Sequence, residues 1–216
     1  VLDKKQEKYI KNFTNNLLEG INYYTSIFKN SSDFINSKKE LLPAFITVAN
    51  IVSKDPKQVI AGNERVIRPR LADAAFFYEN DATESLERRR EALRTVVFQD
   101  KLGSVFDKTA RVAAIAEVLS NYTGADPSLA RRAAELSKSD LVSDMVGEFA
   151  DLQGTMGRYY ALNDGEDKQV AEAQLEQYLP RFSGDQVPST EVGTTLALAD
   201  KLDPLVGIFS IGQQPS

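Results

Sequence analysis

The 216-residue sequence contains no cysteine and no histidine. Without cysteine there can be no disulfide, no thiolate metal site and no cysteine nucleophile. Without histidine the commonest general base and the commonest transition-metal ligand are both missing. What survives is oxygen-ligand chemistry for Mg²⁺ or Ca²⁺, and carboxylate or lysine chemistry. No run approaches the ~20 consecutive apolar residues that span a bilayer, and no signal peptide opens the sequence. A soluble, cytoplasmic setting with no membrane partner is therefore expected. Neither GxGxxG nor GxxxxGK[ST] occurs, so there is no Gly-rich phosphate loop.

What is present is ordinary globular material: 42% apolar and 26% charged residues, enough for a real core. The formal net charge of −5 argues against binding nucleic acid over the whole surface, since phosphate affinity rests on basic side chains. Arginine is nonetheless clustered locally, in RVIRPR (Arg65 to Arg70), in ERRREALR (Glu87 to Arg94) and at Arg131–Arg132. These stretches read first as solvated helix faces whose arginines have acidic neighbours, such as Glu84 and Glu87.

Residues 1–40 contain no Ala and no Arg and are rich in Lys and Asn. From Leu41 onward Ala is abundant and Arg outnumbers Lys. The break suggests a separate arm. Its apolar positions Ile10, Phe13, Leu17, Ile21, Tyr24 and Phe28 follow helical spacing. A small α+β segment is expected over 41–82, with a strand at AFITVANIV (Ala44 to Val52). A helix opened by Asp55-Pro56 should follow, broken or bent at Pro69.

From 83 to 216 the pattern is helical throughout, with short connections that imply one compact domain. A helix is expected over 83–98. Ser104-x-x-Asp107 should cap a second helix ending near Gly124, and Asp126-Pro127 a third reaching about Lys138. Leu141, Met145, Phe149, Leu152, Met156 and Tyr159 repeat at spacings of three and four, which predicts one long helix with a buried face. The carboxylate pairs Asp140/Asp144 and Glu148/Asp151 would then lie along its solvent side. A turn at Asn163-Asp164-Gly165, a helix over about 167–178 and a last helix from near Thr190, kinked or broken at Pro204, complete the reading.

Three stretches resemble the metal-binding frame of HD-type phosphohydrolases, in which a histidine opens an H-x-x-R-V-A helix. A His-Asp pair ends a later helix, and an aspartate sits in a final L-A-D-[KR]-L helix. Here DKTARVAAIAEVL offers Asp107 or Lys108 at the first position. DPSLARRAAELSKSDLV offers Ser137-Lys138 or Ser139-Asp140 at the second. LALADKLD retains Asp200. Two carboxylates without imidazoles, and with a lysine nearby, are a poor cage for a divalent ion. The expectation is a degenerate site with no metal. Asp140 would act as a helix N-cap, and Asp200 as an interior aspartate bonded to backbone or to an arginine.

Longer stretches, LLPAFITVANIVSKDPKQVIAGNERVIRPRLADAAFFYEND, LERRREALRTVVFQDKLGSVFDKTARV, LSKSDLVSDMVGEFADLQGTMGRYYA, EQYLPRFSGDQVPS and LALADKLDPLVGIFSIGQQP, resemble the β subunit of bacterial tetrameric glycyl-tRNA synthetase across 41–216. The resemblance implies a mainly α fold, with an HD-like multi-helix domain (83–216) preceded by the α+β segment and the amphipathic arm. It implies an internal fragment of a glycine–tRNA ligase β subunit, inactive alone and free of catalytic residues. That fragment would contribute tRNA binding and assembly with the α subunit. It would bind no cofactor itself, while the holoenzyme uses ATP and Mg²⁺ and the α subunit performs adenylate chemistry. Candidate contacts to tRNA-Gly are Arg65, Arg68, Arg70, Arg88, Arg89, Arg90, Arg94, Arg131 and Arg132, because a guanidinium fork suits phosphate. The degenerate HD positions are Asp107, Lys108, Ser139, Asp140 and Asp200. The competing functions are an active metal-dependent HD-like phosphohydrolase and a purely structural helical interaction module.

Overall fold

The computed structural model describes residues 53–213. The chain divides into two units, 1–64 and 65–216. The expected arm over 1–40 and the expected strand over Ala44–Val52 lie outside the described residues. Helix α1 (Pro56–Asp81) opens behind Asp55, whose Oδ1 accepts from the Lys57 amide at 3.1 Å. Of the break or bend expected at Pro69, the break does not occur: the helix continues through the proline.

Within 65–216 the fold is mainly helical, as expected, but two of the anticipated helices are absent. Instead of one helix over 83–98 there is a short α2 (Leu86–Arg90), a 3₁₀ turn (Glu91–Thr95) and strand β1 (Val97–Gln99). β1 pairs antiparallel with β2 (Gly103–Ser104), Val97 opposite Ser104. The hairpin delivers the chain to α3 (Val105–Thr123). Its capping box is the one anticipated: the Asp107 amide donates to Ser104 Oγ at 3.2 Å, and the Ser104 amide donates to Asp107 Oδ2 at 2.8 Å. Gly124, at φ 82°, ends the helix in a left-handed conformation that costs glycine little.

Helix α4 (Pro127–Leu136) is capped by Asp126, whose Oδ1 accepts from the Ser128 and Leu129 amides. The long helix expected over 141–159 is broken into four pieces: a 3₁₀ turn (Ser139–Val142), α5 (Asp144–Glu148), a second 3₁₀ turn (Ala150–Leu152) and α6 (Thr155–Asn163). Two local devices cause this. Ser143 Oγ accepts from the Val146 amide and starts α5 afresh, and Gly154 turns at φ 78°. The restart rotates the register, so Tyr160 is buried and Tyr159 is exposed. Asp140, Asp144, Glu148 and Asp151 therefore do not share one helix face.

Helix α7 (Lys168–Glu176) and helix α8 (Glu191–Ser210, N-cap Thr190) fall where the sequence puts them. However, α8 continues through Pro204 rather than stopping there. The core joins α3, α4, α6, α7 and α8 around Val112, Ala116, Leu136, Met156, Tyr160, Val170 and Leu196. Ala130, Ala133 and Ala134 let α4 approach its neighbours closely. Each large apolar side chain buried there contributes roughly 1.5–3 kcal/mol.

Candidate functional site

Asp200 sits on α8 where α3 and the turn after α4 converge. Lys108, on the first turn of α3, forms an ion pair with Asp200 Oδ1 and donates to the Asp200 main-chain oxygen at 3.2 Å. Lys138 donates from Nζ to Asp200 Oδ2 at 3.0 Å. Both lysines are buried. Burial alone would raise the Asp200 carboxyl, but Lys138 and Lys108 together hold it below the ordinary aspartate range. Burial also pushes the Lys138 ammonium down, against the pull of Asp200. The Lys138 ammonium lies 3.9 Å from the centroid of the Tyr178 ring, and Lys108 lies 5.5 Å from that of Phe98. Such cation–ring contacts contribute most when the cation is desolvated.

Asp140 faces elsewhere. Its Oδ2 accepts from the Gly154 amide at 2.5 Å and from the Gly157 amide at 3.1 Å, so it caps the N-terminus of α6. Burial raises its carboxyl, opposed by those two amides and by Lys138. Asp140 is not an N-cap residue itself, since it lies inside the 3₁₀ turn, but its carboxylate accepts amides at the start of a helix farther along the chain. Asp107 serves only the capping box, which leaves Lys108 as the residue that reaches the centre. Ser139 is fully buried, and its hydroxyl has no partner, as is also true of the Tyr178 hydroxyl.

These donors do not fit a divalent ion. Asp200 is engaged on both carboxylate oxygens by ammonium groups, which repel a metal cation directly. Asp140 is engaged by backbone amides. Among the described residues no group of three Asp, Glu, His or Cys converges in a way that could hold a metal.

The candidate arginines are scattered rather than gathered. Arg89 is buried against Asp81, with Nη2 3.1 Å from Oδ1 and 2.8 Å from the main-chain oxygen. Arg90 and Arg94 lie over the same Phe106 ring, 4.5 and 3.4 Å from its centroid, and pair with Glu87 (3.9 Å) and Glu91 (2.8 Å). Arg131 bridges Glu117 (2.7 Å) and Glu135 (3.1 Å). Arg132 pairs with Glu166 at 2.6 Å and with Glu87. Arg70 pairs with Glu148 at 3.3 Å beside Phe149. Arg65, Arg68 and Arg88 are exposed. Arg65 and Arg88 make no ion pair among the described residues.

Comparison with known proteins separates this arrangement from a chance likeness. The family described as glycyl-tRNA synthetase beta subunit matches residues 24–216. The chain belongs to that family. The match begins inside the compositionally distinct arm, earlier than the start at residue 41 expected from the sequence. Among relatives, the glycine–tRNA ligase beta subunits of Marinobacter nauticus, Chromohalobacter salexigens and Acinetobacter baumannii are 59%, 58% and 56% identical. Each alignment runs over 182 residues, 84% of this chain and 26% of the relative. The chain thus spans about a quarter of the length of those beta subunits.

Of three further participants around the centre, the sequence offers Lys138 only as one alternative and does not single out Arg111 or Tyr178. Lys138 was one of several residues standing at the His-Asp position, and its left-handed backbone (φ 66°) is the feature that aims it inward. Arg111, in the R-V-A part of the frame, clamps the buried Asp203 with Nε at 2.6 Å and Nη2 at 3.1 Å. Tyr178 carries no local signal at all. Asp200 itself was expected to meet backbone or an arginine, and its partners are lysines. Lysine reaches farther on a flexible stem, which suits a carboxylate approached from two other segments.

Proposed function

We propose that this chain is a helical module of a glycine–tRNA ligase β subunit that supports tRNA contact and subunit assembly and carries no adenylate or hydrolytic chemistry of its own. The observation that carries the reading is the double engagement of Asp200 by Lys108 and Lys138. The position that metal-dependent hydrolysis would need is committed to architecture, so the exterior is the working surface. In this reading the domain is a degenerate HD-like scaffold. The complete ligase is cytoplasmic and pairs the β subunit with an α subunit that uses ATP and Mg²⁺ to attach glycine to tRNA-Gly. No described helix is long and apolar enough to cross a membrane.

Two surfaces support this reading. On α8, Leu198, Leu202, Leu205, Val206 and Phe209 form a stripe at helical spacing, each between 36% and 65% exposed. Large apolar stripes of this kind mark contact sites. This chain matches only 26% of each relative's length, so the remaining β polypeptide is assigned as the segment that covers the stripe. On the hairpin side, Arg88 has no acidic partner among the described residues, and Arg94, which lies over the Phe106 ring, has exposed Glu91 as its ion-pair partner. An exposed pair contributes about 0–1 kcal/mol, so a phosphate can take Glu91's place at small cost. Arg89, buried on Asp81, belongs to the core rather than to the RNA face.

The test is tRNA binding and glycine attachment by α together with complete β, comparing wild type with Arg88→Glu/Arg94→Glu. Loss of two phosphate contacts should flatten the slope of log K against log salt by roughly 1.5 and raise the KM for tRNA. Unchanged affinity and slope would favour a module without RNA contact. Mn²⁺-dependent phosphatase activity abolished by Asp200→Ala would favour the hydrolase alternative.

A further inference from the structure

We infer that Lys108 and Lys138 do the structural work of a divalent ion: they are a pair of built-in cations that tie three chain segments to Asp200, and they close the site to metal permanently. The inference concerns the interior alone and stands whether or not the exterior meets RNA.

Charge is the first support. Two ammonium groups bring the formal charge of one divalent ion, and both bond Asp200, the aspartate of the final helix of the frame, while Asp140 is bonded by the Gly154 and Gly157 amides and feels Lys138 only through space. The chain still places cation and anion together in the interior, but both now come from the polypeptide. Buried charges persist only when paired and hydrogen-bonded, and each oxygen of Asp200 has its own ammonium donor.

Connectivity is the second. A metal ion in such a frame would join three segments. The lysines join the same three: α3 through Lys108, the turn after α4 through Lys138, and α8 through Asp200. Lys138 is the only non-glycine described residue with positive φ. That conformation is unfavourable for a residue with a β-carbon. The turn accepts it because it aims the side chain at Asp200 and the Tyr178 ring.

The third support lies in Pro204. A proline inside a helix has no amide to give to the carbonyl four residues earlier, and that carbonyl belongs to Asp200. Lys108 Nζ donates to this oxygen at 3.2 Å while it also pairs with the carboxylate. Pro204 thus frees the acceptor that Lys108 takes, so α8 continues through the proline without leaving the oxygen bare. A lysine can satisfy both oxygens of one residue in this way through its three donors.

The experiment is a cycle in the full chain, read by thermal unfolding. Asp200→Asn leaves two buried ammonium groups without a carboxylate, and Lys108→Met or Lys138→Met leaves one Asp200 oxygen without its donor; each should lower Tm, Asp200→Asn by on the order of 10 °C. The triple variant Lys108→Met/Lys138→Met/Asp200→Leu removes all three charges and should recover most of that loss, because an apolar set can replace a buried ionic one. Lys138→Gly adds a second readout. It relieves the backbone but removes the ammonium, and it should be less stable than wild type. Should the single variants fail to fold, nitrogen-detected NMR of the wild-type lysine side chains decides: two ammonium signals protected from solvent exchange are expected. Single variants as stable as wild type, a triple variant no better than the singles, a stabilising Lys138→Gly, or no protected ammonium signal would each overturn the inference.

Discussion

Asp81, the last residue of α1, is a fully buried carboxylate that joins four other residues. Its oxygens accept from the Asp144 amide at 3.1 Å, the Met145 amide at 2.9 Å and the Tyr160 hydroxyl at 2.8 Å, and they pair with Arg89 at 3.1 Å. One side chain thereby starts α5, fixes α6 and neutralises α2. Asp81→Ala would strand the buried Arg89, and removing one partner of a buried pair costs about 3–5 kcal/mol. Two amides and a hydroxyl would also lose their acceptor, at about 1–3 kcal/mol for each group left bare. Water entry and the remaining Arg89 contacts, to the Asp81 carbonyl and to Glu84 at 3.7 Å, reduce the sum. A net loss of about 5 kcal/mol is expected, or a fall in Tm of roughly 10–20 °C for a chain of this length. Urea unfolding followed by far-UV circular dichroism measures it directly. Asp81→Asn keeps one acceptor oxygen and should fall between. A loss below about 1.5 kcal/mol for Asp81→Ala would refute the hub.

Three further predictions follow the same logic. Gly193 packs against Glu176 so closely that an added Cβ would overlap the carboxylate and lie 2.8 Å from the Glu176 Cβ; Gly193→Ala should therefore displace α8 and cost about 1–3 kcal/mol in chemical denaturation. Burial raises the Glu176 carboxyl, but the Ser189 and Thr190 hydroxyls and amides outweigh it and leave the pKa lowered. A depressed folded pKa gives stability that is present above the unfolded value, about 4.3, and is lost as pH falls through the folded one; the Tm gap between wild type and Glu176→Gln should thus shrink between pH 7 and pH 3. Gly154→Ala should be destabilising on two grounds, its φ of 78° and the Tyr178 ring 2.7 Å from the new Cβ, with partial compensation from Tyr178→Leu in calorimetry.

Much of the fold was legible because its helix starts use local chemistry. Ser104, Asp126 and Thr190 each cap the helix that the sequence assigned to them. The failures are tertiary. The apolar spacing over 141–159 is genuine, and Met145 and Met156 are both buried, but Ser143 and Gly154 reset the helix between them. Those two residues were the visible signal, and periodicity outweighed them. Pro204 lies inside a continuing α8 for a related, tertiary reason. Its missing amide ends a helix only if the stranded carbonyl finds no other donor, and here Lys108 is one, 92 residues away in sequence. The stretches likened to an HD-type frame hold Lys108, Lys138 and Asp200, which meet in the fold. Those stretches could not show which of two neighbouring residues would turn inward, because that depends on φ 66° at Lys138 and on the capping role of Asp107. The arginine clusters and the local Arg131–Glu135 pair were visible in the sequence, whereas burial of Arg89 and the pairing of Arg131 with Glu117 and of Arg132 with Glu87 and Glu166 arise only on folding.

The central claim is that Asp200 belongs to the lysines and not to a metal. Electron paramagnetic resonance of Mn²⁺ added in stoichiometric amounts to the full chain tests it most directly. The spectrum of free aqueous Mn²⁺ should persist in wild type and in Asp200→Asn alike. A bound signal at one equivalent that disappears in Asp200→Asn would contradict the account.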